Sequence, residues 1–497
     1  MPRQSPSLAA AGMTLDLASG APVSRQIYDR IRAAILAGQL QPGLRLPSSR
    51  ALASELGVSR TTTVAAYERL RNEGYLDGRA GAGTTVASLA IPAPPVPAPG
   101  TAGRPRLSRQ GQRMAGVRWR MAPAVESSGA SPPAFPVGRP ALDAFPAGLW
   151  AKVVARRARR SADSLLRYQH PAGYVPLREA IAAYVGLARG VRCTPEQVLV
   201  VAGAQAGLSL AARLLLDPGD EAWLEDPGYY GARGAIIAAG AVPVPVPVDG
   251  SGLDLAAGQR RAPRARIAYV TPSHQFPLGV TMSLPRRLAL LEWAREADAY
   301  VVEDDYDSEY RYQGDPLPSL QGLDPGGRVV YVGSFSKVLF PALRVGYVIV
   351  PGELADAFAA GHRFAAIHVP SLEQAALTDF ISDGHLARHI RRMRALYAAR
   401  EAALAEAIER ELGGMLSVTP PHAGLHLIGW LPDGTSDELA AARAAAHGVD
   451  AQPLSAHALR PGRPGLLLGH AATPEPEIIA GVRRLAASLP APGPAGA

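Results

Sequence analysis

Ser334-Phe335-Ser336-Lys337-Val338-Leu339-Phe340-Pro341-Ala342-Leu343-Arg344-Val345-Gly346 holds one of only two lysines, Lys152 and Lys337, among the 51 basic residues of this 497-residue chain. Every other one of them is arginine. A guanidinium holds carboxylates and phosphates well, but it cannot readily form a Schiff base, which needs a deprotonatable primary amine. Ser334, Ser336 and Arg344 are suitable donors for a dianionic phosphate, and Arg344 can bind it bidentately. The plain alternative is a surface lysine following a buried strand at 329–332, so the surroundings decide.

Upstream, short apolar runs alternate with alanine-rich helical stretches, the pattern of an α/β fold with a largely parallel sheet. Strands are expected at 198–201, 222–224, 267–270, 300–302 and 329–332. Each is followed by a polar or glycine-rich loop, where ligands bind in such sheets. Gly203-Ala204-Gln205-Ala206-Gly207 opens a helix, whose first amides suit a phosphate. Glu225-Asp226-Pro227-Gly228-Tyr229 follows the second strand, with Arg233 one turn on as a candidate substrate contact. Thr271-Pro272-Ser273-His274-Gln275-Phe276-Pro277 follows the third. Glu303-Asp304-Asp305-Tyr306-Asp307 ends the fourth; its carboxylates could pair with a cofactor or, alternatively, hold a metal.

Charge is unevenly placed. Residues 1–134 carry 16 arginines against seven acids, a net of +9, whereas the whole chain is +8. The basic excess therefore lies in the N-terminal quarter, as expected of a part that meets nucleic acid. Residues 1–22 read as a frayed tail. From Val23 the pattern turns helical, with Ile27, Ile31 and Ile35 on one face and Gly38 as its end. Gln41-Pro42-Gly43 is a turn and Leu44-Arg45-Leu46 a short extended piece. Ser48 is the expected N-cap of a second helix carrying Leu52 and Leu56, and Ser59 of a third whose Val64, Tyr67 and Leu70 face inward. Two helices joined so closely make a helix-turn-helix, whose second helix offers Ser59, Arg60, Thr61 and Thr62 to a major groove. Tyr75-Leu76 and Thr84-Thr85-Val86 are wing strands around a glycine-rich tip that lets Arg79 approach the minor groove. From 88 to 135 proline, alanine and arginine prevail without period. That composition makes a semi-extended tether, its arginines solvated or adding unspecific phosphate contacts.

These motifs, in this order, carry a resemblance. Ser-x-Ser-Lys with Arg344 and Gly346 downstream resembles the cofactor-lysine motif of fold-type I, pyridoxal-phosphate-dependent class I aminotransferases. The stretch from Pro42 to Val86 resembles the GntR winged helix. Together they look like a MocR/GabR-type transcription regulator. That resemblance implies a multidomain chain: a 23–87 α+β winged helix-turn-helix, a linker at 88–135, and at 136–497 an α/β fold-type I transferase with a large, mostly parallel sheet and a small α+β C-terminal part. It implies pyridoxal 5'-phosphate joined to Lys337, with Ala204, Gln205, Ser334, Ser336 and Arg344 on the phosphate and Tyr229 stacked on the ring. Asp304 then meets the pyridine nitrogen, keeping the ring an electron sink. Tyr306 meets the phenolic oxygen, with Gln275 in the loop where relatives place an asparagine. Tyr168 matches a tyrosine that reaches the neighbouring subunit's phosphate, which implies a homodimer. On the DNA side the resemblance marks Arg50, Ser59, Arg60, Thr61, Thr62 and Gly81 as contacts to a double-stranded operator.

One departure separates the chain from working enzymes of this type, which anchor the substrate carboxylate with an arginine near the C-terminus. Leu467 stands at that position, and Arg460 and Arg463 adjoin proline or Pro-Gly turns nearby. Losing that anchor argues against efficient turnover. Three readings follow: a regulator sensing pyridoxal phosphate or an amine, an active aminotransferase with an accessory DNA-binding head, and a cofactor-free dimerising scaffold. The single Cys193 excludes an internal disulfide framework and suits a reducing cytoplasm. No 18-residue apolar run occurs, and neither a signal peptide nor a membrane span is expected.

Overall fold

A computed structural model describes residues 21–79, 83–88, 107–117, 133–160, 165–314, 317–419 and 423–489. The chain divides into two compact units, 1–106 and 107–497.

In the first unit, α1 (Val23–Leu36), α2 (Ser49–Leu56) and α3 (Arg60–Asn72) precede the antiparallel pair β1 (Leu76–Arg79) and β2 (Gly83–Val86). Ile27, Ile31 and Ile35 recur every fourth residue, so α1 buries one stripe against α3. Each isoleucine so buried stabilises the unit by about 2 kcal/mol. Both expected caps form: Ser48 Oγ accepts from Ala51 N at 3.1 Å, and Ser59 Oγ from Thr62 N at 3.2 Å. Arg45 bridges to Thr85, which extends the wing to a third short strand. On α3 the inward set is Thr63, Ala66, Tyr67 and Leu70, while Val64 is only half-buried. Thr63 takes the inner place because its hydroxyl donates to Ser49 O and Arg60 O, both at 2.9 Å. The wing tip, including Gly81, lies outside the described residues, as does the side chain of Arg79.

The second unit holds an eight-stranded sheet in the order β3-β10-β9-β8-β7-β4-β5-β6. Its strands are β3 (Val198–Val201), β4 (Glu221–Asp226), β5 (Val242–Asp249), β6 (Gly252–Leu253), β7 (Ile267–Val270), β8 (Tyr300–Asp305), β9 (Val329–Ser334) and β10 (Gly346–Ile349). Neighbours from β9 through β5 run parallel; β10 is antiparallel to both β9 and β3. All four residues of β3, β7 and β10 are buried, as a sheet covered on both faces requires. Helices Ala204–Leu215, Tyr230–Ala238 and Ala355–Ala366 cover the face bearing Leu199, Val201 and Val332. Helices Ala147–Arg160, Val175–Arg189 and Ser371–Ser382 cover the face bearing Val198, Val200 and Tyr331. The C-terminal ends of β3, β4, β7, β8 and β9 thus lie along one edge of the sheet.

A smaller antiparallel sheet, β11 (Ser417–Val418), β12 (His426–Trp430), β14 (Gly465–Gly469) and β13 (Gln452–Pro453) in spatial order, packs on helices His385–Leu412, Asp437–Ala446 and Glu475–Ser488. Two parts of the stretch read as a tether have structure. Residues Arg109–Ala115 form a helix capped by Ser108, and Gln110 donates to Ile237 O. Ala134 and Phe135 are buried in the core of the smaller sheet. A phenyl ring with an apolar socket outweighs the composition around it. Among the described residues no helix is long and apolar enough to cross a membrane.

Candidate cofactor site and DNA-facing surface

Lys337 lies three residues past the end of β9, and its Nζ donates to Gly138 O at 2.6 Å. Gly138 (φ 70) takes a left-handed conformation that favours glycine, and a Cβ there would stand 2.8 Å from that Nζ. Burial lowers the pKa of the amine, opposed by Asp307 and Asp304. Asp304, in β8, accepts from Tyr269 OH at 2.8 Å through Oδ2, while Oδ1 is buried with no partner. Burial pushes this carboxyl up to about 7, against the Tyr269 hydrogen bond. A buried acceptor left open beside a lysine of lowered pKa fits a ligand that brings both a hydrogen-bond donor and a carbonyl carbon.

The edge beyond β3 suits an anion. Gly203 (φ 83) turns the chain into helix Ala204–Leu215, so the amides of Ala204 and Gln205 have no intrahelical acceptor. Arg344 Nη2 donates to Ala202 O at 2.6 Å, and a Cβ on Gly203 would meet its Nη1 at 3.0 Å. Gly346 pairs with Ser334 on one side and Val201 on the other, which brings the serine strand to the same edge. Ser336 N donates to Ser334 Oγ at 3.1 Å, and Ser336 Oγ is buried without a partner. Tyr229 is half-buried; its ring stands 6.0 Å from that of Phe276 at 89°.

The four carboxylates that could have shared a metal face four ways. Glu303 accepts from Leu320 N and Gln321 N at 2.8 and 2.9 Å. Asp305 pairs with Arg189 at 2.7 Å and with Tyr331 OH at 2.6 Å, and Asp307 meets His274 Nδ1 at 3.0 Å. Only Asp304 keeps an open oxygen among these four. Tyr306 OH lies 3.0 Å from the same His274 Nδ1.

Gln275 is engaged within the protein. Its Nε2 donates to Glu225 Oε2, Pro227 O and Phe276 O at 2.7–3.0 Å, and its Oε1 accepts from Leu278 N. That side chain ties the β7 loop to the β4 loop and has no N–H left for a cofactor oxygen. Sequence reasoning missed His274, Asp307, Arg189 and Gly138. His274 stands next to Gln275 and Asp307 within the acidic run, but nothing in their spacing announces that they meet.

Tyr168 is 85% exposed, its ring 6.0 Å from His368. Leu467 is fully buried opposite Ile428 in β12. Of the arginines considered for a carboxylate, Arg460 and Arg463 are exposed, Arg463 lying 4.7 Å over the Trp430 ring. Arg233 is half-buried and borders a cavity of about 380 Å³ with Tyr230, Gln452, Ser455 and His457.

Residues 23–86 match the family described as bacterial regulatory proteins, gntR family, and residues 143–467 match aminotransferase class I and II. The chain is 43% identical over 479 residues to the probable rhizopine catabolism regulatory protein MocR of Rhizobium meliloti, covering 95% of each. The chain belongs to the MocR-type regulators. Another relative is the HTH-type pyridoxine biosynthesis transcriptional regulator PdxR of Corynebacterium glutamicum, 33% identical over 82% of this chain and 83% of that one. Among solved structures, LysN, the α-aminoadipate aminotransferase of Thermus thermophilus complexed with N-(5'-phosphopyridoxyl)-L-leucine, superimposes with a TM-score of 0.66. It is 33% identical, over 71% of this chain and 91% of that one.

In this MocR-type chain the start of α3 is open to solvent. Arg50, Ser59, Arg60 and Thr61 are exposed and Thr62 half-buried. Ser59 Oγ also meets the hydroxyls of Thr61 and Thr62 at 2.9 and 2.7 Å, which fixes the first turn of α3. In the aminotransferase-like unit, Gly424 (φ 78) lies against the His274–Asp307 pair. A Cβ there would stand 2.6 Å from His274 Nδ1 and 2.8 Å from Asp307 Oδ2. Gly424→Ala is expected to cost about 2–4 kcal/mol through left-handed strain and displacement of a buried pair. Denaturant unfolding checks this, and a midpoint equal to wild type would refute it.

Proposed function

We propose that this chain is a DNA-binding transcription regulator of the cytoplasm whose aminotransferase-like domain takes pyridoxal 5'-phosphate and senses the cofactor itself or an amine. The unpartnered Oδ1 of buried Asp304 carries the reading: it is an acceptor left open on a side chain that Tyr269 holds in place and whose charge acts on Lys337. Pyridoxal phosphate supplies an electrophilic carbon that captures amines, over a ring that stores electrons. Lys337 would hold that carbon through its amine, and Asp304 Oδ1, as a carboxylate, would accept the hydrogen bond of the protonated ring nitrogen. The amides of Ala204 and Gln205, with Ser334, Ser336 and Arg344, bind the phosphate. Tyr229 covers one ring face, and Tyr306, already near His274, stands by the phenolic oxygen. Exposed Tyr168 reaches a second copy, so the working form is a homodimer. Two winged helices, each spanning 23–87 and joined to the larger unit through the 88–135 segment, then grip paired half-sites through Arg50, the first turn of α3, Arg79 and Gly81.

Control by ligand requires the two ligand states to differ in DNA affinity. Titrating the full chain on the DNA upstream of its own gene, with and without pyridoxal phosphate, is expected to show at least about a fivefold change in affinity, the lower end of ordinary coupling. Equal affinities in both states would overturn the sensing role. The second reading, an active aminotransferase with a DNA-binding head, is favoured by the paired Lys337 and Asp304 and opposed by buried Leu467. Keto-acid production from an amino donor would decide for it.

A further inference from the structure

Lys337 Nζ is bonded to Gly138 O, and the preceding Val137 packs into an apolar cluster. Leu467, Ile428 and Leu454 form its buried centre, and Phe276, Leu278 and Trp430 pack against it. The Phe276 ring is surrounded in turn by Tyr306 at 5.9 Å, His426 at 5.5 Å and His457 at 5.1 Å. His426 Nε2 donates to Pro277 O at 3.0 Å. Burial lowers the pKa of His426 and His457 to about 4, so both rings are neutral near pH 7. Arg344 is engaged at the β3 edge. Arg233 lies near His457, but the cavity it borders touches none of Lys337, Tyr229, Phe276 and Leu467.

We infer that the amine sensed at Lys337 bears no carboxylate on its amine-bearing carbon: the effector class is a primary amine with uncharged substituents, not an α-amino acid. The inference rests on the cofactor reading above and narrows it. A carboxylate carried in beside Lys337 would meet phenyl, leucyl and neutral imidazole groups, and a buried anion without a partner is strongly disfavoured. Hydroxyl or aromatic substituents meet acceptable neighbours there: the histidines and tyrosines offer neutral hydrogen bonds, and Phe276 offers a ring edge.

Matched pairs differing only by the carboxylate test this on the full-length protein loaded with pyridoxal phosphate: phenethylamine against L-phenylalanine, tyramine against L-tyrosine, ethanolamine against L-serine. Binding is followed by the change in the visible absorption band and by calorimetry. Each amine is expected to bind at least about tenfold more tightly than its amino acid, the factor one unpaired buried charge readily exceeds. Leu467→Arg, which installs a guanidinium in the cluster, is expected to narrow or reverse that ratio. The wild-type pairs decide even if the variant fails to fold. A series in which no amine outbinds its amino acid overturns the inference, and loss of amino-acid binding in Arg233→Ala would then name the true anchor. A wild-type protein that develops no visible band with pyridoxal phosphate fails the cofactor reading instead, and the inference falls with it.

Discussion

Lys337→Ala is expected to leave a folded protein that develops no visible band with pyridoxal phosphate and yields no borohydride-fixed adduct. The side chain makes one hydrogen bond, to Gly138 O, so its removal costs at most about 1–2 kcal/mol of stability. Cofactor affinity is expected to fall by about two orders of magnitude or more, because a covalent link becomes simple association. The sequence supplies its own control. Lys152 is the sole other lysine, it is exposed, and Lys152→Ala should leave the band intact. A band that survives Lys337→Ala would sink the assignment. Acidity adds a second signature. Capture needs an uncharged amine and an ionised Asp304. Burial lowers the Lys337 pKa, which favours the amine, but raises the Asp304 pKa to about 7. In the free protein Asp304 therefore takes up a proton as pH falls through 7, and that proton must leave again on binding. Affinity is thus expected to drop on acidification, by up to about tenfold per pH unit for one linked proton. Asp304→Asn should remove that step while lowering affinity at every pH.

What can be foreseen in the sequence depends on where a residue's role is decided. Strands at 198–201 and 267–270 are legible as β-branched, apolar runs and end where expected. β8 and β9 continue past their apolar cores to Asp305 and Ser334, because the parallel ladder between them and the antiparallel ladder from β9 to β10 hold the backbone extended after the side chains turn polar. β5 escapes a sequence reading, since Pro243, Pro245 and Pro247 speak against a strand. Val242 N donates to Asp220 O, so the N–H groups of the alternating valines face β4 and every proline points its missing N–H the other way. There β6 pairs only at the far end, through Val248 and Asp249. The site divides likewise. Lys337, Asp304, Arg344 and the Gly203 turn are local motifs and can be read directly. The partners of the Gln275 amide are not foreseen, because Glu225 and Pro227 lie 50 and 48 residues away. No local pattern carries that information. Leu467 is the converse: the missing arginine is visible in the sequence, but only the packing of Ile428, Leu454 and Phe276 around it shows what replaced the charge.

Arg60→Ala is expected to weaken operator binding by about 1–3 kcal/mol, the range for one bidentate base or phosphate contact. Arg60 is the first residue of α3, exposed, and its side chain has no partner among the described residues. The helix start does not depend on it, because Ser59 supplies the cap and Thr63 binds the Arg60 carbonyl, not its side chain. Unfolding midpoints should therefore stay within about 0.5 kcal/mol of wild type. Ser59→Ala is the contrasting case: it removes the cap itself and should cost about 1 kcal/mol of stability in this unit. The form of the loss identifies what Arg60 reads. A guanine contact relaxes specificity at one base pair, whereas a phosphate contact weakens all sequences equally and lowers the salt slope by about one. Since Arg60 and Lys337 lie in different compact units, Arg60→Ala should leave the cofactor band unchanged. Parallel loss of DNA binding and band would mean a misfolded variant, and unchanged operator affinity would remove the first turn of α3 from the DNA interface.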